Sequence, residues 1–438
     1  ERRAALGGFV PQRLEKFTNK LQIPALGDFE SITAGSGDRE ISTTMAFVRV
    51  LNVLLKDKNI GKNIVPIVPD EARTFGMEGM FRQFGIYSSA GQKYIPQDKD
   101  QVAFYKEDIK GQVLQEGINE LGAMSSWIAA ATSYSINDYP MIPFYIFYSM
   151  FGFQRTGDLC YAAGDQKARG FLVGGTSGRT TLNGEGLQHE DGHSHILANT
   201  IPNCITYDPT YGYEVAVIVK DGIDRMYGEK QEDIFYYITT LNENYVQPAM
   251  PQGVEEGIIK GIYKVKTFEA KNDFKVKLLG SGSIFQEAIK AAEILSSEYN
   301  IKVDIYSVTS YNELTREAQD IERENLLNLD KTPLIPYVEK VLGSDSDTVI
   351  ISATDYIKAY SEQLRPYIKG SFKALGTDGF GRSDSRANLR KFFEVDTNFI
   401  VYTTLAELAI NGKIDKKVAL EAKNKYEIDA NKINPRNA

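Results

Sequence analysis

Met141-Ile142-Pro143-Phe144-Tyr145-Ile146-Phe147-Tyr148-Ser149-Met150-Phe151 is the longest apolar stretch of the chain. It falls well short of the ~20 residues that a membrane-spanning helix needs, and Pro143 and Ser149 interrupt it. Met141 to Phe147 therefore reads as a buried strand, with a helix-like stretch following from Arg155. The same pattern of apolar run, turn and helix-like stretch repeats on both sides. Upstream, Asn63 to Val68 ends at Pro69-Asp70-Glu71, and before it Met45, Val48, Leu51 and Leu55 recur at helical spacing within Ser42 to Lys56. Downstream, Phe171 to Gly174 leads into a long Gly-rich loop, Asn203 to Tyr207 precedes a helix near Tyr211 to Tyr227, and Phe235 to Thr240 follows. Strands alternating with helices imply crossover connections and a mostly parallel sheet.

A run of Pro, Gly and Glu between Gln247 and Gly257 breaks this pattern and marks a boundary. Beyond it come a strand at Phe274 to Leu279, the turn Gly280-Ser281-Gly282-Ser283 and a helix through Leu295. Lys302 to Val308, Thr348 to Ser352 and Phe372 to Leu375 read as further strands, and a charged amphipathic helix begins after Ile414. The expected fold is α/β, with two domains of mostly parallel sheets flanked by helices, at 41–250 and 251–438. Residues 1–40, rich in Gly and Pro, form an irregular leading segment.

Composition narrows the functional classes. With 438 residues, 42% hydrophobic and 25% charged, the chain is long enough for two sizeable cores. A formal net charge of −8 without a dense Lys/Arg run argues against nucleic acid as a partner, and the apolar runs are too short for a membrane. Cys160 and Cys204 make neither a disulfide framework nor a CxxC metal motif and read as small buried hydrophobes. The start Glu1-Arg2-Arg3-Ala4-Ala5-Leu6 has no initiator Met and no signal-peptide core, so the expectation is the middle of a longer, cytoplasmic protein.

Ligands of open parallel sheets sit beyond the carboxyl ends of the strands. That rule brings Asp70 and Glu71, Tyr148 and Phe151, and the loop from Gly174 to His195 to one edge. All 3 histidines, His189, His193 and His195, fall within this loop. His-x3-His-x-His with nearby carboxylates suits zinc or iron; equally, the imidazoles read as proton donors facing a substrate, or as loop residues satisfying backbone carbonyls. Glu120 opens an Ala-rich helix running past Trp127, where the positive end of the helix dipole alone would stabilise it. Asp70-Glu71 has a similarly plain reading as a solvated helix start. Gly280-Ser281-Gly282-Ser283 lacks the third Gly of a dinucleotide fingerprint and the Gly-Lys-Ser/Thr of a P-loop, so it reads as a tight strand-to-helix turn. The polar segment Gly91 to Gly111, interleaved with Tyr94, Phe104 and Tyr105, is either a mobile lid or a surface excursion.

Asp70 to Gly79, Leu114 to Gly122, Phe144 to Asp158, Gly174 to His195, Tyr237 to Tyr245 and Leu375 to Asp384 together resemble the homodimeric, bacterial-type pyruvate dehydrogenases (acetyl-transferring). These belong to the transketolase-like thiamine enzymes, and the resemblance covers essentially the whole chain. It implies that 41–250 is a pyrimidine-binding domain and 251–438 a transketolase-type C-terminal domain. It also implies that the part carrying Gly-Asp-Gly, which binds Mg2+ and the pyrophosphate of thiamine diphosphate, is missing. Gly157-Asp158-Leu159 and Gly164-Asp165-Gln166 both fail that motif, so no metal ligand is expected in this chain, which reads as a piece of a longer one, inactive alone.

Carried over residue by residue, the resemblance makes Glu120 a buried carboxyl that shares its proton with the aminopyrimidine. Phe151 would stack on that ring. Glu71, Tyr148 and His189 would line the substrate side, with Arg155 supporting the cofactor. Gln92 to Lys106 would be a mobile loop closing over the cofactor. The implied reaction is decarboxylation of pyruvate with acetyl transfer to the lipoyl group of dihydrolipoamide acetyltransferase, whose lipoyl and binding domains would be partners of a homodimer. Two other readings stand beside it: a metallohydrolase built on His189, His193 and His195, and a non-catalytic assembly module.

Overall fold

In the computed structural model of the chain, residues 2, 13–69, 72–97 and 105–438 are described. The first sheet contains six strands, all parallel. Its elements, in chain order, are α1 (Thr43–Lys56), β1 (Ile64–Val68), β2 (Leu114–Gln115), α2 (Glu120–Ala131), β3 (Ile142–Tyr148), α3 (Ser149–Asp165), β4 (Phe171–Gly175), α4 (Ser194–Asn199), β5 (Cys204–Tyr207), α5 (Gly212–Tyr227) and β6 (Phe235–Thr239). The spatial order is β2-β1-β3-β4-β6-β5.

The unbroken apolar run of β3 has a direct cause. Successive side chains of a strand point to opposite faces, and a parallel sheet covered on both faces needs apolar residues on each. Phe144 and Ile146 join Phe171, Val173 and the buried face of α1 and α5 in one core, and Phe144 stacks on Phe171 at 4.4 Å. Tyr145 and Phe147 face the other way, onto Met124 and Trp127 of α2 and Phe153 of α3. Trp127, fully buried, donates its indole N–H to the Phe171 carbonyl at 3.0 Å, which satisfies its one polar atom.

The second sheet has five strands. Its elements are β7 (Ile262–Phe268), β8 (Asn272–Gly280), α6 (Ile284–Tyr299), β9 (Ile301–Val308), α7 (Tyr311–Leu327), β10 (Val349–Ala353), β11 (Ser371–Leu375), α8 (Thr397–Ile410) and α9 (Lys416–Lys425), with the order β7-β9-β8-β10-β11. Strands β8 to β11 are parallel, whereas the edge strand β7 runs antiparallel to β9. The α/β reading with mostly parallel sheets holds for both layers.

Several local expectations need correction. Helix α3 begins at Ser149, directly after β3, not at Arg155. Its N-cap is Tyr148, without a side-chain cap hydrogen bond, so nothing in the local sequence announces the start. In α1, Ser42 caps the helix through Met45 N–H at 3.2 Å, but Met45 itself is 38% exposed and the buried stripe runs through Phe47, Val50, Leu51 and Leu54. The leading segment is less irregular than its composition suggests, with short helical turns at Leu26–Phe29 and Glu30–Thr33. Among the described residues no helix is long and apolar enough to cross a membrane.

The two sheets are joined by buried polar contacts at their carboxyl ends. Fully buried Asp355, just after β10, accepts hydrogen bonds from the N–H and hydroxyl of Thr180 (2.9 and 2.6 Å) and of Thr181 (3.1 and 2.6 Å). Nearer the core, Glu214 of α5 accepts from Tyr263 and Ser307 at 2.6 and 2.7 Å. Removing a buried acceptor strands every donor aimed at it. We expect Asp355→Ala to lower the unfolding free energy by about 3 kcal/mol, read by chemical denaturation; a loss below about 1 kcal/mol contradicts the clamp.

Candidate active site

Beyond the carboxyl ends of β1 and β3 lies a cavity of about 200 Å³. Tyr148, the last residue of β3, is followed at once by α3, so Tyr148, Phe151 and Arg155 stand three and four residues apart on one face of the helix start. Glu120 comes from the first turn of α2, where Asn119 caps the helix by accepting from Gly122 N–H at 3.0 Å. The unpaired N–H groups of that turn favour a negative charge. Pro69, after β1, and exposed Ile118 complete the apolar rim, and His189 closes the far side.

The rings are in mutual contact. Tyr148 meets Phe151 at 5.8 Å and His189 at 4.9 Å, both edge-on, and Phe151 meets His189 at 5.1 Å. Such tilted pairs place ring edges on ring faces, as their quadrupoles prefer. Phe75 packs on Tyr148 at 5.2 Å, and the Tyr148 hydroxyl lies 3.3 Å from Thr74 Oγ1. Arg155 spans the site: its guanidinium sits 3.9 Å from the Phe151 ring centre and donates to Glu120 Oε1 at 2.5 Å. Glu120, its side chain 15% exposed, is therefore ion-paired. Five of the six expected site residues, Glu120, Tyr148, Phe151, Arg155 and His189, line this one cavity. The sixth, Glu71, lies with Asp70 outside the described residues.

The histidines divide. His193 Nε2 stands 2.7 Å from the side-chain amide nitrogen of Gln154, tying the loop to α3. His195 is fully buried, stacked on Tyr360 at 4.9 Å and 21°, with Nε2 at 3.0 Å from Thr239 Oγ1. Burial pushes its pKa down to about 3 against the pull of Asp191, so it is neutral. Three imidazoles aimed in three directions do not make a metal site, and among the described residues no group of three His, Cys, Asp or Glu is placed to hold one.

The flanks of the polar segment are pinned. Tyr94 and Tyr105 both donate to Glu107 Oε1, at 3.0 and 2.9 Å, and Ile86–Tyr87 pairs with Glu107–Asp108. Residues 98–104, the middle of the expected mobile loop Gln92 to Lys106, are outside the described residues. The Gly280–Ser283 turn is filled by protein: Ser281 donates to Asp208 at 2.7 Å, and Ser283 Oγ meets Thr181 Oγ1 at 2.5 Å. It is a strand-to-helix turn. Sequence reasoning missed the buried set between the two sheets, Arg179, Glu190, Asp208 and Asp355. Each lies next to or within a recognised loop, but no spacing signals that the set converges.

Residues 21–248 match the family model described as the pyruvate dehydrogenase E1 component middle domain, and residues 261–396 match the transketolase-like TK C-terminal domain. The chain is 62% identical over 435 residues to the pyruvate dehydrogenase E1 component of Escherichia coli (strain K12), covering 99% of this chain and 48% of that protein. It is 61% identical to the protein of the same description from Pseudomonas aeruginosa, covering 99% and 49%. The chain thus spans about half the length of the curated relatives it matches. Among solved structures, a transketolase from Leishmania mexicana superposes with a TM-score of 0.66 at 17% identity, over 89% of this chain and 48% of that one, which speaks to the fold alone.

A neutral, buried His195 has a consequence for stability. As the pH falls from 6.5 towards 3, the unfolded chain takes up a proton that the folded chain cannot, so folding is progressively disfavoured. His195→Phe removes this contribution. Over that window the variant should lose less stability than the wild type, measured by denaturation at each pH; parallel losses would place a charged imidazole in the core.

Proposed function

The chain belongs to the family of the pyruvate dehydrogenase E1 component middle domain, with a transketolase-like C-terminal domain after it, and from that premise we propose that its cavity holds the aminopyrimidine half of thiamine diphosphate. The reaction is the oxidative decarboxylation of pyruvate, with transfer of the acetyl group to a lipoyl group of dihydrolipoamide acetyltransferase. The observation that carries this reading is the meeting of one carboxylate, at the positive end of α2, with the flat rings of Phe151, Tyr148 and His189 in one cavity. Flat apolar walls with a single acceptor suit an aromatic heterocycle that carries N–H groups.

When bound, thiamine diphosphate supplies the nucleophilic carbon and the electron sink for loss of carbon dioxide. The chain's own residues do the rest. Glu120 leaves Arg155 and takes or returns a proton at a ring nitrogen. Arg155 is half-exposed and has room to swing away. Phe151 offers its face to the ring. Tyr148 and His189 line the substrate side, donating hydrogen bonds to the carboxylate of pyruvate or to charge that develops during reaction; Glu71, expected beside them, lies outside the described residues. Mg2+ and the pyrophosphate would be held by the part of the enzyme that carries the Gly-Asp-Gly motif, which these 438 residues lack.

In this reading residues 41–250 act as the pyrimidine-binding domain and 251–438 as the C-terminal domain. A second copy completes the site in a homodimer. The lipoyl and binding domains of the acetyltransferase dock on the assembled enzyme in the cytoplasm. Both cysteines are free and buried, which agrees with a reducing compartment.

The test uses the intact enzyme, of the length of the curated relatives, with thiamine diphosphate, Mg2+ and labelled pyruvate. Wild type should release labelled carbon dioxide, and Glu120→Ala should lower turnover by about 10²-fold or more. Turnover untouched by that substitution contradicts the role of Glu120. An intact wild type that binds the acetyltransferase but decarboxylates nothing would favour an assembly module.

A further inference from the structure

His189 and Glu190 are adjacent in the chain yet serve opposite sides of the interface. His189 lines the cavity above the first sheet, whereas the Glu190 side chain is driven, fully buried, into the loop that follows β11. The fit there is tight: a Cβ placed on Gly381 would stand 2.4 Å from Glu190 Cβ and 2.9 Å from its Cγ. Neither carboxyl oxygen has a hydrogen-bond partner among the described residues. Around the carboxyl stand the acids Asp355 and Glu185, the guanidinium of Arg179 and the backbone N–H of Arg382, which favours the charge without closing a hydrogen bond. Arg179 gives two of its donors to carbonyls, at 2.5 Å from Thr377 and 3.4 Å from Glu190.

Packing alone does not account for this side chain. A buried acid without a donor costs about 1–3 kcal/mol, and far more when charged. A leucine or methionine would fill the space without that cost. Burial, with Asp355 beside it, pushes Glu190 up to about 8, so at neutral pH it is the uncharged acid.

We propose that Glu190 is a positioning residue for His189: seated against Gly381, it sets where the imidazole stands in the cavity. The proposal rests on the reading of that cavity given above. The chain on the far side of Glu190 is firmly anchored. Asp191 Oδ1 accepts the N–H groups of His193 and Ser194, both at 3.0 Å, and its Oδ2 accepts the Ser194 hydroxyl at 2.5 Å. The near side is a single short turn, Leu187–His189, with His189 N–H on the Gly186 carbonyl at 3.0 Å and Glu190 N–H on that of Leu187 at 3.2 Å. When Glu190 ionises beside Asp355 and Glu185, against the penalty of burial and with only the Arg382 N–H and the Arg179 guanidinium favouring the charge, it is expelled. The displacement passes into the turn and moves His189.

The test compares Glu190→Gln, which keeps the shape and stays neutral, with Glu190→Ala, which empties the niche, in the intact enzyme. Turnover of the wild type should fall as the pH rises through about 8, and Glu190→Gln should lack this alkaline limb. Glu190→Ala should lower kcat by about 10- to 100-fold at neutral pH with unchanged affinity for thiamine diphosphate, because Glu120 and Phe151 are untouched. The His189 ring signal, assigned by its loss in His189→Gln, gives a readout free of activity. It should shift across the same pH range in the wild type and not in Glu190→Gln. A signal flat through that range, or an alkaline limb surviving in Glu190→Gln, overturns the proposal. A shift abolished by Glu190→Gln while turnover is indifferent to both variants supports the positioning and refutes the part given to His189 in the reaction.

Discussion

Four donors from Thr180 and Thr181 converge on the buried carboxylate of Asp355, and through this clamp the loop that carries His189 is laid across the second sheet. The cavity draws on segments that are distant in the chain: the end of β1, the start of α2, the junction of β3 with α3, and that loop. The first three are held by their own sheet. The loop, about twenty residues of irregular backbone, has no strand partner and takes its shape from Arg179, which reaches the Thr377 carbonyl, and from Ile357 N–H on the Gly192 carbonyl at 2.8 Å. The second sheet thereby fixes one wall of the cavity above the first.

The clamp brings acids together where little water reaches. Burial raises Asp208 to about 7 and raises Asp355 as well, while hydroxyls of Ser281 and Thr239 on the one, and of Thr180 and Thr181 on the other, pull each back. Hydroxyl donors compensate these two, whereas among the described residues no side-chain donor reaches the Glu190 carboxyl, which makes it the weakest point of the group. In the cavity itself the dominant contact is the Arg155–Glu120 pair. With Arg155 half-exposed, such a pair is worth about 1 kcal/mol or less. A heterocycle that stacks on Phe151 and offers an N–H to Glu120 can replace it.

Much of this was legible in the sequence, for identifiable reasons. The all-apolar β3 announces a strand covered on both faces, and the rule for parallel sheets puts Tyr148 and Phe151, just after it, at one sheet edge, whereas Arg155 comes only from the resemblance. The start of α3 was hidden because no capping side chain marks it. Helix α7 was overlooked although its signal was present: Ser310-Tyr311-Asn312-Glu313 has the spacing of a capping box, and Ser310 accepts the Glu313 N–H at 3.0 Å. Helix α8 had no apolar stripe to find, being apolar on most sides. The antiparallel course of β7 follows from a short reversal at Glu269 to Lys271 that carries no strong turn residue. The three histidines looked like one cluster because proximity in sequence says nothing about direction in an irregular loop. Partners on α3, on β6 and at the cavity edge draw them apart.

The most direct measurement is a structure of the intact enzyme with thiamine diphosphate bound. The account predicts the aminopyrimidine ring against Phe151, with the Glu120 carboxyl turned from Arg155 onto a ring nitrogen and His189 at the open side. A ring bound elsewhere, or Glu120 still paired with Arg155 beside an occupied cavity, would contradict it.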